Sequence, residues 1–155
     1  MPSTADRSPT PTEHLGRVSP TGYAHVRVTV TDIARSRAFY DAVFGWDVAF
    51  EVPEDADEAT REQLGFLFGG VIYAFGGGLF GLRPVAPGGD RFDEDRVGLD
   101  HVSFTVAQRS ELDAAAEVLD RLGVAHEPVK DVGGYSILEF RDPDGIALEL
   151  TALTG

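Results

Sequence analysis

The 155-residue chain contains no cysteine. Disulfides, thiol nucleophiles, zinc fingers and iron–sulfur clusters are therefore excluded. Lysine is almost as scarce, since only Lys130 among thirteen basic residues is not arginine. Acidic residues number 26, giving a formal charge of −13. Nucleic acid and anionic membrane are thus not expected partners, because binding phosphate by bulk charge needs a positive surface. An export signal is lacking too: residues 1–20 hold Pro2, Pro9, Pro11 and Pro20 among Ser, Thr and charges, with no apolar stretch. That segment reads as a disordered leader, with His14 inert in it, and the expected location is cytoplasmic.

One stretch is free of charge, residues 63–82, and is long enough to span a bilayer. Seven glycines interrupt it, and Gly76-Gly77-Gly78 divides it into two short strand patterns. It reads as a hairpin, not a span. With 43% hydrophobic and 25% charged residues, the remainder is an ordinary globular composition, enough for one domain over residues 21–153.

That domain repeats itself. Ala24-His25-Val26-Arg27-Val28-Thr29-Val30 matches Asp100-His101-Val102-Ser103-Phe104-Thr105-Val106 without gaps. Both alternate polar and apolar residues, as half-buried strands do, and each places a histidine on its polar side. A helix pattern follows each: residues 33–44 behind a Thr31-Asp32 N-cap, stopped by Gly45, and a stripe of Leu112, Ala115, Ala116, Leu119 and Leu122, stopped by Gly123. Ser110 with Asp113 is the expected cap of the second helix. Three strand patterns close each half: residues 46–51, 71–75 and 79–85, then 126–132, 135–140 and 146–151. The organisation is βαβββ twice, as module one (21–86) and module two (98–153), joined by the turn-rich segment 86–98. The acidic excursion 53–62 reads as a loop or short helix.

In the final strand, Ala147, Glu149 and Thr151 share one face and Ile146, Leu148 and Leu150 the other, so one carboxylate projects from the polar side. Two histidines at the same position of two repeats, with this glutamate, make a set of two imidazoles and one carboxylate. Such a set holds a divalent first-row metal and leaves positions open for water or substrate. His126 reads as a surface strand residue.

His25 in AHVRVTV, Phe39-Tyr40 with Gly45-Trp46, His101 in GLDHVSFTV, and FRDPDGIALEL ending in Glu149 resemble the vicinal oxygen chelate superfamily of glyoxalases, extradiol dioxygenases, fosfomycin-resistance and bleomycin-binding proteins. The resemblance implies an α+β fold, two βαβββ modules forming curled mixed sheets around a cup with helices outside. It also implies His25, His101 and Glu149 as metal ligands for Fe, Mn, Ni, Zn or Co, and a homodimer. Glyoxalases place a fourth ligand on the last strand of module one. Matching Gly78 to Gly145 puts Leu82 there, and a one-residue slip puts Arg83 there. Ring cleavage fits poorly, because no histidine follows His126 and Glu139 stands where a tyrosine is wanted.

The expected activity is that of a glyoxalase-like metalloenzyme of lyase, isomerase or transferase type, its metal acting as a Lewis acid on a small oxygenated substrate. Arg27 beside His25 would orient an anionic group and Glu139 would serve as general base. Tyr73, Trp46 and Phe50 would line an apolar wall. The alternative is a metal-free protein of the same fold that binds and sequesters a small molecule such as an antibiotic.

Overall fold

The computed structural model describes residues 17–153. The expected leader and His14 fall on residues 1–16, outside the described residues, apart from 17–20, which are exposed and form neither helix nor strand. Module one comprises β1 (His25–Thr29), α1 (Ile33–Val43), β2 (Asp47–Phe50), α2 (Glu58–Gln63), β3 (Val71–Phe75) and β4 (Gly78–Arg83). Module two comprises β5 (Val102–Thr105), α3 (Arg109–Leu122), β6 (Lys130–Val132), β7 (Tyr135–Arg141) and β8 (Ala147–Leu153).

Each module forms a four-stranded mixed sheet, in the orders β1-β4-β3-β2 and β5-β8-β7-β6. The first strand of each runs parallel to the last, and the other neighbours are antiparallel. Parallel pairing needs a long crossover, which α1 and α3 provide. The fold is thus α+β with the doubled βαβββ organisation, and neither sheet closes into a barrel.

Local chemistry sets the helix ends. Asp32 caps α1 by accepting from Arg35 N at 3.0 Å. At α3 the cap differs from expectation: the helix starts at Arg109 behind Gln108, whose N–H donates to the Glu111 carboxylate at 3.0 Å. Asp113 instead binds Arg109 one turn back, at 2.8 Å. Gly123 ends the helix at φ 68°, where any other residue would be strained. The pattern over residues 126–132 yields only the short β6, with His126 in a single bridge to Phe140.

Both modules contribute to one core. Val28, Val30, Tyr40, Tyr73, Phe80 and Leu82 of module one pack with Val102, Leu112, Leu119, Leu138, Leu148 and Leu150 of module two. Each such side chain contributes about 1.5–3 kcal/mol by leaving water. An aromatic seam joins the halves: Phe104 of β5 lies 5.1 Å from Trp46, 5.4 Å from Phe44 and 5.6 Å from both Phe75 and Phe80 between ring centroids. Trp46 and Tyr73 therefore belong to this core and line no wall on the opposite face. Phe50 is exposed, with Phe66 6.5 Å away.

Because the core takes one face of each sheet, alternation turns His25, Arg27 and Thr29, and likewise Ser103, Glu149 and Thr151, onto the faces opposite α1 and α3. The turn before β3 packs tightly enough to require glycine: a Cβ at Gly70 would stand 1.9 Å from the Leu82 carbonyl oxygen. Gly70→Ala is expected to cost about 1–3 kcal/mol or more, as overpacking against rigid backbone does, read as a lowered urea midpoint.

Candidate metal centre

Glu149 owes its position to the alternation of β8, where Leu148, Leu150 and Ala152 enter the core. Its Oε1 accepts from Ser103 Oγ and Thr151 Oγ1, both at 2.7 Å. Its Oε2 has no hydrogen-bond partner among the described residues and keeps its lone pairs. His101 immediately precedes β5 and is exposed, and its Nδ1 bonds the Asp100 carboxylate. A carboxylate can only accept, so Nδ1 carries the proton and Nε2 is the free acceptor when the ring is neutral. The Asp100 bond pushes the imidazole pKa up, partial burial opposes it, and the charges of Glu149, Asp100 and Glu139 add to the rise.

His101 and Glu149 line one cavity of about 640 Å³ on the helix-free side of module two. Glu139 lies there too, directly across from Glu149 in the β7–β8 register, and pairs with Lys130 of β6. At the rim Arg141 binds Glu94 and holds its carboxyl down to about 2.

His25 stands elsewhere. It is exposed on β1 of the other sheet and does not line this cavity. Among the described residues, no group of three or more His, Cys, Asp or Glu side chains is placed to hold a metal ion. One chain thus brings His101, Glu149 and Glu139 together and leaves His25 and Arg27 on the second sheet. Arg27 Nη1 and Nη2 donate to the Phe66 and Leu67 carbonyl oxygens at 3.0 and 3.3 Å.

The strand registers correct one alignment. Arg27 faces Gly81 across β1–β4, as Ser103 faces Glu149 across β5–β8. Gly81, not Leu82 or Arg83, is therefore the module-one counterpart of Glu149. The two glycines used as the anchor do different jobs. Gly145 sits in the turn at φ 84°, whereas Gly78 is already the first residue of β4.

Asp100, Ser103, Thr151 and Lys130 escaped the sequence reading. Asp100 was signalled by its place beside His101, and Ser103 and Thr151 by sharing the polar face with Glu149. The Lys130–Glu139 pair carried no sequence signal, because it depends on the β6–β7 register.

The chain belongs to the Glyoxalase/Bleomycin resistance protein/Dioxygenase superfamily, whose family pattern matches residues 22–150. It is 31% identical over 129 residues to the "uncharacterized protein YaeR" of Escherichia coli (strain K12), covering 81% of this chain and 92% of that protein. A solved glyoxylase/bleomycin resistance protein/dioxygenase domain from Frankia sp. EAN1pec is 31% identical with a TM-score of 0.69, covering 87% of this chain and 93% of that one. Lactoylglutathione lyase from Agrobacterium tumefaciens shares the fold at 19% identity and a TM-score of 0.63, over 86% and 94% of the two chains. So does the fosfomycin resistance protein FosX from Listeria monocytogenes, at 18% identity and a TM-score of 0.63, over 88% and 93%. Among the described residues, no helix is long and apolar enough to cross a membrane.

Proposed function

We propose that the protein is a divalent-metal-dependent enzyme of glyoxalase-like type acting on a small oxygenated molecule, and that it works as a homodimer. In each site His25 of one copy joins His101 and Glu149 of the other. The observation that carries this reading is the pair of prepared donors in the module-two cavity. His101 has its Nδ1 tied to Asp100, and Glu149 has one oxygen tied to two hydroxyls. Ligating histidines and carboxylates are oriented in this way by outer partners.

A single chain supplies two of the three donors, so the donor set fits a metal only when a second copy adds its imidazole. Charge supports that pairing. His25, Arg27 and Arg83 occupy the face of module one's sheet opposite α1, while Glu94, Asp100, Glu127, Glu139 and Glu149 line the module-two cavity. Exposed Val48 and Phe50 of β2, and Val132 and Tyr135 of β6 and β7, offer apolar surface on the two sheets. An isologous two-fold places module one of each copy against module two of the other and forms two sites.

A bound metal would supply Lewis acidity, lowering the cost of negative charge developing on a substrate oxygen. The chain's residues do the rest. Asp100 fixes the His101 ring, Ser103 and Thr151 fix the Glu149 carboxylate, and Glu139, charge-balanced by Lys130, accepts a substrate proton.

Calorimetric titration of Mn²⁺ into the chelator-stripped full chain tests the proposal. One ion per chain is expected. Glu149→Gln should weaken binding by more than about 100-fold, and Asp100→Asn by about 10–100-fold, the range for an outer partner of a ligand. Absence of Mn²⁺, Fe²⁺, Ni²⁺, Co²⁺ and Zn²⁺ binding, with small-molecule binding that survives chelation, would establish the metal-free sequestering function instead.

A further inference from the structure

The segment that joins the modules forms neither helix nor strand, because Pro84, Pro87, Gly88 and Gly89 punctuate it. It turns twice instead, with Asp90 N donating to the Pro87 carbonyl at 3.1 Å and Arg96 N to that of Asp93 at 3.3 Å. Three ties hold it down. Ala86 N donates to the Val30 carbonyl at 3.3 Å, Phe92 N to the Asp144 carbonyl at 3.0 Å, and Glu94 binds Arg141. Fixed in this way, the segment arches over the seam between the modules and leaves a second cavity there, of about 570 Å³. That is the size of a small-molecule site. It shares no lining residue with the module-two cavity.

The lining is part apolar and part charged. Phe92, Leu99 and the buried Ile146 supply the apolar surface, and Thr29 at the end of β1 supplies a hydroxyl. The carboxylates in the wall already have partners. Asp144 accepts from Thr31 and Arg35, Asp93 from Asp95 N and Arg96, and Asp90 from Arg91 N. Of the two arginines in the lining, Arg96 therefore holds a carboxylate. The Arg91 guanidinium has no hydrogen-bond or ion-pair partner among the described residues, since only its backbone N–H is engaged.

Arg91 is nevertheless placed. A Cβ at Gly145 would stand 3.0 Å from its Nη2 and 3.7 Å from its Cζ, so the guanidinium lies flush on the β7–β8 turn in the room that this glycine leaves. A planar fork of N–H groups without an acceptor, beside an apolar wall, matches the two oxygens of a carboxylate that carries an apolar body.

We infer that the cavity under the joining segment is a second ligand site, taking a small organic carboxylate whose charged end binds Arg91 and whose compact apolar body lies against Phe92, Leu99 and Ile146. Neither the metal nor the homodimer is needed for it. Thr29 belongs to module one and Ile146 to module two, so an occupant bridges the seam and stabilises the docked halves by mass action.

Calorimetric titration of benzoate into the chelator-stripped full chain tests the inference, chelation removing any metal that would compete for the carboxylate. One benzoate per chain is expected. Arg91→Gln should weaken it roughly tenfold or more, as loss of a charge-assisted hydrogen bond does, and Leu99→Ser should weaken it about fivefold or more through lost apolar contact. Both residues are exposed, so neither variant opens the core. Benzyl alcohol keeps the ring without the charge and should bind wild type and Arg91→Gln alike. On titration with benzoate, the amide resonances of Thr31, Phe92 and Ile146 should shift, and those of His101 and Glu149 should not.

Absence of benzoate binding, equal affinity in wild type and Arg91→Gln, or shifts centred on His101 and Glu149 would each overturn the second site. Mn²⁺ uptake, measured separately, should be the same in Arg91→Gln as in wild type, so failure here and failure of the metal proposal are told apart.

Discussion

Neither His25→Ala nor His101→Ala is expected to bind Mn²⁺ alone, yet the two variants co-expressed with different tags should recover about a quarter of the wild-type sites. The fraction follows from symmetry. Random pairing makes half the dimers mixed, and in each mixed dimer one site loses both histidines while the other keeps both. The effect is large because loss is near complete in the parents and return depends only on where the residues come from. Equilibrium dialysis of the doubly tagged fraction should find one ion per mixed dimer. No ion there, with wild type binding normally, would mean that one chain closes its own site. The separation of His25 from the module-two cavity is what makes the experiment decisive.

The second large effect concerns stability. Asp142 and Tyr40 are both buried, 5% and 1% exposed, one in each module. Asp142 Oδ1 accepts from Asp144 N at 2.9 Å and Ile146 N at 2.8 Å, and Oδ2 accepts from Tyr40 Oη at 3.2 Å. Asp142→Ala leaves three donors without partners, two of them inside the β7–β8 turn. The expected loss is about 3 kcal/mol or more, since each stranded buried donor costs about 1–3 kcal/mol. Asp142→Asn keeps an acceptor at Oδ1 and should lose about 1 kcal/mol.

Protonation separates these two variants further. Burial pushes the Asp142 carboxyl up, against the pull of the backbone N–H groups of Ile146 and Asp144. A raised acid binds its proton more tightly folded than unfolded, so its contribution falls as pH rises above the ordinary carboxylate range. The stability gap between wild type and Asp142→Asn should therefore narrow on going from acid to neutral pH. Urea midpoints for the two proteins across that range check this, and a gap constant with pH would contradict the burial effect.

The repeat was legible because strand alternation and the matched histidines need no knowledge of the turns. Glu149's outward face followed from the same alternation, and core packing of Leu148, Leu150 and Ala152 enforces it. What failed depended on turn geometry or on packing between modules. The β3–β4 hairpin pairs Phe75 with Gly78, whereas the β7–β8 hairpin pairs Arg141 with Ala147. Aligning glycine on glycine therefore shifted the register by one, and hid both Gly81 and the space it leaves for Arg27. Gln108 was passed over as a cap because Ser110 and Asp113 offer the commoner residue types. Trp46 took its core place from its contact with Phe104 of β5, and Tyr73 packs on Trp46 in turn, neither of which a local pattern encodes. The relation between His25 and the module-two donors was likewise illegible, since a shared position in two repeats does not say whether they meet in one chain.

A second tie crosses the modules. Asp144, 4% exposed, accepts from Thr31 N at 2.8 Å, Thr31 Oγ1 at 2.6 Å and Arg35 at 2.5 Å. Together with the Asp142–Tyr40 contact, it bolts the turn of module two onto the start and middle of α1.

The aromatic seam gives the protein a built-in optical reporter. Its one tryptophan, Trp46, stacks on Phe44 at 4.1 Å and on Phe75 at 5.0 Å and meets Phe104 of the other module edge-on. With no second indole to confuse the signal, emission should be blue-shifted while the halves are docked. A red shift would follow as soon as water reaches the seam, whether or not the individual sheets have yet come apart.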